Sequence, residues 1–131
     1  MSGKPEQVQY RLQKAAETLA EVDVLLEKGY WNTAVNRMYY ACYYAISALL
    51  IQNDVETASH AGVRQKFGQL FILTGLIDRG LGRHFSGLFE KRQKGDYDDF
   101  FDLDENTAKR LLAPSQELIR TVSILIEART V

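Results

Sequence analysis

The segment from Arg92 to Tyr97, which reads Arg-Gln-Lys-Gly-Asp-Tyr, holds residue types that could handle a phosphate. An arginine presents a fork of N–H donors that suits phosphate oxygens, and a tyrosine can donate a proton or stack on a base. The same arginine could instead pair with Asp96 or Asp98 at the end of a helix, where the helix dipole favours a cation. A functional site at Arg92, Asp96 and Tyr97 and a purely structural ion pair are therefore both open.

A second arginine, Arg37, stands in a stretch that is rich in tyrosine and poor in charge. A buried guanidinium needs a partner or a cleft, and a carboxylate such as Asp96 or a tyrosine hydroxyl could supply the partner. One alternative is a structural ion pair. The other is a binding site that joins both arginines to nearby tyrosines, and it would consist of Arg37, Tyr40, Tyr44, Arg92 and Tyr97.

The chain has two histidines, His60 and His84, and His60 is the one that we favour as a site residue. His60 is expected near the start of a helix, where it could cap backbone groups, face solvent, or line the same cleft as a binding residue. His84 follows Arg79 with four residues between them, a loose pattern that arises by chance in many chains. We interpret this spacing between Arg79 and His84 as coincidental.

Composition excludes several classes of function. Sixteen Lys and Arg against seventeen Asp and Glu give a net charge of −1, so any contact with RNA must be local. The single Cys42 and two separated histidines offer no metal-ligand spacing, and no glycine-rich loop follows a strand, so we expect neither a metal nor a cofactor. The alternative is Mg²⁺ held by carboxylates alone, at the dense run of Asp96, Asp98, Asp99 and Asp102.

The chain carries no feature of an exported or membrane protein. No apolar run approaches the roughly 18 residues of a membrane span, and the first residues lack an apolar signal core. A lone cysteine suits a reducing compartment. We therefore expect a cytoplasmic protein without membrane contact, formed as one domain over residues 1–131.

Apolar residues recur every three or four positions along most of the chain, which is the period of one helix face. Capping and turn residues divide the pattern into about five helices, from Pro5 to about Lys28, Trp31 to Gln52, His60 to Thr74, Asp78 to about Arg92, and Glu105 to Ala128. Gly75 and Gly95 are expected to end the third and fourth helices, and Pro114 should kink or split the last. Short loops between amphipathic helices predict an all-α fold, an antiparallel up-down helical bundle.

The second predicted helix is apolar on every side. On a helical wheel, tyrosine, alanine, leucine and isoleucine side chains occupy all three faces between Met38 and Leu50. Such a helix must be covered all round, and a chain of this length has few helices to cover it. This pattern predicts a second subunit.

Three stretches together resemble a known family. They are Asn36–Ala45, Ser59-His60 with Gly62-Val63, and Arg92 followed by Asp96-Tyr97. In these residues, their order and their spacing, from roughly Glu6 to Glu127, the chain is similar to the small prokaryotic HEPN proteins. The resemblance implies a homodimeric helical bundle, often encoded beside a minimal nucleotidyltransferase as a toxin–antitoxin pair, in which many members cut RNA without metal.

The ribonuclease motif of that family is incomplete in this sequence. In the ribonuclease members a histidine follows the arginine a few residues later, and two such motifs meet across the dimer. The resemblance places Arg92 at the arginine position, but Asp96 and Tyr97 follow it, and no histidine occurs downstream. Histidine's pKa suits the proton transfers of metal-free cleavage, and the acids near Arg92 repel phosphate. Cleavage by this motif is therefore not expected.

The sequence leaves three functions open. The favoured one is a HEPN-like homodimeric module that pairs with a minimal nucleotidyltransferase and binds nucleotide or RNA without cutting it. The second is a metal-independent ribonuclease toxin that uses Arg92 with Tyr97 or Asp96, or else Arg79 with His84. The third is a structural bundle whose tyrosine-rich helix builds an oligomer interface. The missing histidine argues against an enzyme.

Overall fold

The computed structural model describes residues 3–98 and 102–129, and these form a bundle of helices. The helices are α1 (Lys4–Glu27), α2 (Trp31–Gln52), α3 (His60–Phe67), α4 (Arg79–Tyr97), α5 (Glu105–Arg110) and α6 (Leu112–Ala128). No strand occurs among the described residues, so the predicted all-α helical bundle is confirmed. Within these two ranges, no helix is long and apolar enough to cross a membrane.

The second helix, α2, is the centre of the bundle. It packs along α1 and also contacts α3, α4, α5 and α6. Its fully buried side chains include Met38, Tyr39, Cys42, Ala45, Ile46 and Leu49. The other helices of the chain therefore cover most of α2, which was predicted to need a second subunit to cover it. Three tyrosines of α2, Tyr40, Tyr43 and Tyr44, stay partly exposed, and the homodimer stays a prediction.

The third predicted helix begins and ends as expected but is irregular inside. The Ser59 hydroxyl accepts a hydrogen bond of 2.9 Å from the Gly62 N–H at its start. At its end Gly75 has a φ of +81°, a conformation that favours glycine. Between them α3 gives way to a π-helical turn, Gly68–Ile72, marked by the 2.9 Å bond from the Leu73 N–H to the Gly68 carbonyl. Apolar periodicity predicts the helix but not this turn.

The prediction that Gly95 ends the fourth helix is wrong. Helix α4 continues through Gly95 to Tyr97, and only Asp98 adopts an extended backbone, with a φ of −123°. A glycine inside a helix costs about 1 kcal/mol relative to alanine, which neighbouring interactions can offset. One of them is the ion pair between Arg92 and Asp96, four residues apart, at 3.4 Å. The continued helix therefore places Asp96 on the same face as Arg92.

The predicted split at Pro114 is confirmed. Helix α5 ends at Arg110, Leu111 interrupts the helix, and α6 begins at Leu112 with Pro114 in its first turn. A proline has no N–H to give to the carbonyl four residues earlier, which here belongs to Arg110, and its ring crowds that carbonyl. The helical pattern therefore restarts one residue later rather than running on.

Candidate functional site

Arg92 leaves α4 toward α2 and lies against two tyrosine rings. Its guanidinium carbon is 5.5 Å from the ring centroids of both Tyr39 and Tyr40, which is within cation–π range. Its Nε lies 3.4 Å from Asp96 Oδ2, but this contact lacks hydrogen-bond geometry, so in the described part of the chain the buried Nε has no hydrogen-bond partner. Arg92 is held in place by rings and charge while part of its donor capacity is unused.

His60, the first residue of α3, contacts the same two tyrosines as Arg92 of α4. Its Nδ1 is 2.8 Å from the Tyr39 hydroxyl. Its ring centroid is 4.4 Å from that of Tyr43 and 5.8 Å from that of Tyr40. Helix α2 thus brings together a histidine of α3 and the arginine of α4. We call Tyr39, Tyr40, Tyr43, His60 and Arg92 the tyrosine–arginine cluster.

The environment keeps the histidine and the buried tyrosine of this cluster neutral. Desolvation, helped by the positive charge of Arg92, lowers the pKa of His60. Burial raises the pKa of Tyr39, so its phenol stays protonated. Either partner can donate in the hydrogen bond between them. If Tyr39 donates, Nε2 of His60 carries the ring proton and is a donor; if His60 donates, Nε2 is free to accept a proton.

Arg37 joins the edge of the cluster through Tyr40. Its guanidinium carbon is 5.8 Å from the Tyr40 centroid, so both candidate arginines contact Tyr40. Its Nε donates to Glu21 Oε2 of α1 at 3.1 Å, so its partner is a carboxylate, as expected, but Glu21 and not Asp96. The reason is tertiary, since α1 packs along α2 and places Glu21 beside Arg37, while Asp96 lies next to Arg92.

The other two candidates, Tyr44 and Tyr97, have opposite positions. Tyr44 borders the cluster, because its ring centroid is 6.2 Å from that of Tyr40. Tyr97 is 87% exposed at the end of α4. Tyr97 stands five positions after Arg92, which turns its side chain about 140° around the helix from that of Arg92, whereas Asp96, four positions after Arg92, is turned by only about 40°. The structure therefore brings Asp96, but not Tyr97, to Arg92.

Two residues of the cluster, Tyr39 and Tyr43, were not among the predicted site residues. Tyr39 is fully buried, yet its hydroxyl holds His60 and its ring faces Arg92. The signal was present in the sequence, because adjacent helical residues such as Tyr39 and Tyr40 lie about 100° apart. A side chain that approaches between them contacts both rings.

Comparison with known proteins places the chain in a family. A protein-family model described as the HEPN domain matches residues 8–125. The chain belongs to the HEPN domain family. A UPF0332 protein of Thermotoga maritima is 32% identical over 97% of this chain and 96% of that protein. Two Methanocaldococcus jannaschii proteins named as candidate toxins are 30% and 34% identical, over 77% and 70% of this chain and 69% of each protein.

The acidic run of this HEPN domain is mostly engaged in other contacts. Asp96 pairs with Arg92, and Asp102 accepts a hydrogen bond of 3.3 Å from Asn32 Nδ2. Asp99, which belongs to the alternative Mg²⁺ site, lies outside the described residues. Among the residues that are described, no three His, Cys, Asp or Glu side chains converge as they would around a metal ion.

The arginine–histidine pattern formed by Arg79 and His84 in this HEPN domain does not form a cleft, because His84 points into the interior. His84 Nε2 is 2.8 Å from the Ser115 hydroxyl of α6. Burial lowers the pKa of His84 to about 4. Arg79, by contrast, is exposed at the start of α4. The structure thus gives His84 a partner in the core and leaves Arg79 at the surface.

Proposed function

We propose that this HEPN domain is the toxin-side member of a toxin–antitoxin-type pair and that its tyrosine–arginine cluster binds RNA or a nucleotide through a phosphate. The relatives named as candidate toxins support the first part. One observation carries the second part. Arg92 lies against two tyrosine rings with 19% of its side chain exposed, so its guanidinium is fixed in position and still accessible to a ligand.

The chemistry of the cluster suits a phosphate flanked by a base. A guanidinium recognises phosphate oxygens through parallel N–H bonds, and neutral His60 adds one more N–H when its proton is on Nε2. Tyr40, Tyr43 and Tyr44 are partly exposed, so their rings are accessible for a base to stack on. Asp96 opposes this binding, because its carboxylate competes with phosphate for Arg92.

We further infer that the domain works as a homodimer and has a minimal nucleotidyltransferase as its partner. Family membership supports both inferences, and the partly exposed tyrosines of α2 offer aromatic side chains of the kind enriched at interfaces. Sedimentation at micromolar concentration should show a dimer, and a monomer would contradict it. Co-expression with a neighbouring small nucleotidyltransferase should yield a stable complex.

A second function, metal-independent RNA cleavage, is favoured by the position of His60. The missing histidine of the motif has a spatial substitute from α3, which contacts the same two tyrosines as Arg92. With its proton on Nδ1, His60 could take the 2′-OH proton at Nε2 while Arg92 stabilises the charged phosphate. The position of the ring proton of His60 therefore distinguishes the two functions: a proton on Nε2 suits phosphate binding, and a proton on Nδ1 suits cleavage.

The main test is RNA binding in EDTA, measured as fluorescence anisotropy of a labelled single-stranded RNA. Arg92→Ala should weaken binding about 10- to 100-fold, which is the value of a charge-assisted hydrogen bond. Arg110→Ala is the matched control, because that arginine is exposed on α5, lies outside the tyrosine–arginine cluster and donates a hydrogen bond to the Asn106 carbonyl of its own helix. Equal affinity of wild type and Arg92→Ala would refute the proposed site.

The same samples, run on a denaturing gel, decide between the two functions. Intact RNA after incubation with wild-type protein supports the binding module. Cleavage that is lost in Arg92→Ala and His60→Ala but kept in His84→Ala would establish the ribonuclease instead. Cleavage lost only in His84→Ala would contradict both assignments.

A further inference from the structure

A cavity of about 460 Å³ lies between α3, the π-helical turn and α4, and we call it the α3–α4 cavity. Its size falls in the range of roughly 300–1,000 Å³ that is typical of small-molecule sites. Ile72 and Leu73 form its accessible apolar floor, and Phe67 and Phe85, which are 1% and 0% exposed, are buried behind it. No member of the tyrosine–arginine cluster lines it, so it is a separate site.

The rim of the α3–α4 cavity is basic. Arg64, Arg79 and Arg83 line it together with a single carboxylate, Glu90. Within residues 3–98 and 102–129, none of these three arginines forms an ion pair, whereas Arg92 does. The Arg64 guanidinium instead lies 4.3 Å from the Phe89 ring centroid. The cavity thus combines an apolar floor with cations that are not neutralised.

Two glycines give the cavity its shape. A Cβ on Gly82 would lie 3.0 Å from Ile72, so this glycine lets the π-helical turn approach α4 closely. A Cβ on Gly68 would meet nothing within 4 Å, which leaves open space on the cavity side of the turn. Single π-helical turns occur often at functional sites. Here the turn forms one wall of the cavity.

We propose that the α3–α4 cavity binds a small amphiphilic anion. Its apolar body lies on Ile72 and Leu73, and its carboxylate or sulfonate group binds Arg79 and Arg83. A wholly polar ligand would leave the apolar floor unused, and a neutral apolar ligand would leave the arginines without partners. This site goes beyond the proposed function and does not depend on RNA binding at the tyrosine–arginine cluster.

The test begins with anilinonaphthalene sulfonate, an aromatic anion whose fluorescence rises when it enters an apolar site. Titration of the folded full chain should show one saturable site. Decanoate should displace the dye, and decanol, which has the same chain without the charge, should do so about tenfold more weakly because it cannot pair with arginine. Absence of saturable binding, or equal displacement by decanol, overturns the proposal.

Variants then locate the site. Gly68→Leu should abolish binding, because Gly68 has helical angles of φ −60° and ψ −47° that any residue adopts, and the new side chain enters the open space. Lys66→Ala is the control, since Lys66 is a cation of α3 that does not line the cavity. If Gly68→Leu and Lys66→Ala both bind the dye as wild type does, the proposal fails.

A second variant keeps the test decisive if Gly68→Leu does not fold. Arg79 and Arg83 are exposed, so replacing both with glutamine leaves the core unchanged. The double variant should melt like wild type by circular dichroism but bind dye and decanoate about tenfold more weakly. Unchanged affinity in this variant would show that the rim does not select an anion, and the proposal would be wrong.

Discussion

The two histidines make the same hydrogen bond in opposite surroundings. His60 lies 2.8 Å from the Tyr39 hydroxyl and His84 lies 2.8 Å from the Ser115 hydroxyl. Desolvation is the main cause of a lowered pKa at both rings. His60, however, meets an arginine and partly exposed tyrosines, whereas His84 joins α4 to α6. An imidazole–hydroxyl pair is therefore not by itself a sign of function, because its neighbours decide what it does.

The two pairs also differ in how firmly the ring proton is placed. The Ser115 hydroxyl donates its only proton to the Leu111 carbonyl at 2.7 Å, so His84 must donate from Nε2. Leu111 is the residue between α5 and α6, and the chain of bonds from His84 therefore secures the break in that helix. At His60, Tyr39 can either donate or accept. The buried pair has one arrangement and the pair at the cluster has two.

The largest expected effect is on the free energy of unfolding, which substitution of His84 should lower more than substitution of His60. His84→Ala should lower the free energy of unfolding by about 2–3 kcal/mol, because it removes a buried hydrogen bond and leaves a cavity between α4 and α6. His60→Ala should cost less than about 1 kcal/mol, since water can reach its partly exposed position. Urea denaturation measures both. Equal losses would end the distinction between the two pairs.

Acid should destabilise the protein through His84. The pKa of His84 is about 4 when folded, against the usual value near 6.5 when unfolded, so the unfolded chain binds more protons between these values. Stability should therefore fall as the pH drops from about 6.5 toward about 4, by about 1–2 kcal/mol after allowing for partial exposure. His84→Gln should remove this part of the pH dependence. The same slope in His84→Gln and wild type would contradict the assignment.

Removal of the Tyr39 or the Ser115 hydroxyl compares the partners of the two histidines. Tyr39→Phe should cost about 0.5–1.5 kcal/mol, the usual value of a hydrogen bond. It should also weaken RNA binding, because His60 loses the group that orients it. Ser115→Ala should lower stability without changing RNA affinity. If Ser115→Ala weakened RNA binding as much as Tyr39→Phe, the two regions would not be separate.

The smallest expected effect concerns the helix that carries Arg92. Gly95→Ala should stabilise the protein by about 0.5–1 kcal/mol, because Gly95 lies inside α4 and alanine is the better helix former. A thermal melt of wild type and variant measures it. Destabilisation would mean that Gly95 ends the helix after all, and that the geometry joining Arg92 to Asp96 needs revision.

The sequence predicted more of the fold than of the candidate site. Regular spacing of apolar residues predicted the helices, and Pro114 predicted the split in the last one. Ser59 and Asp78 marked two helix starts, where their side chains accept hydrogen bonds from the Gly62 and Gly80 N–H groups. These signals act within a few residues. Gly95 misled the prediction because a glycine can either end a helix or lie within it. The π-helical turn escaped it because apolar periodicity does not distinguish such a turn from a regular helix.

The helices, the buried α2 and the absence of a histidine after Arg92 all follow from the sequence alone. Each of these depends on residues that are neighbours along the chain. The contacts of the two histidines could not be predicted in this way: His60 and Arg92 meet at Tyr39 and Tyr40, and His84 bonds to Ser115. Such contacts depend on how separate helices pack, and packing is set by the whole core rather than by any local pattern.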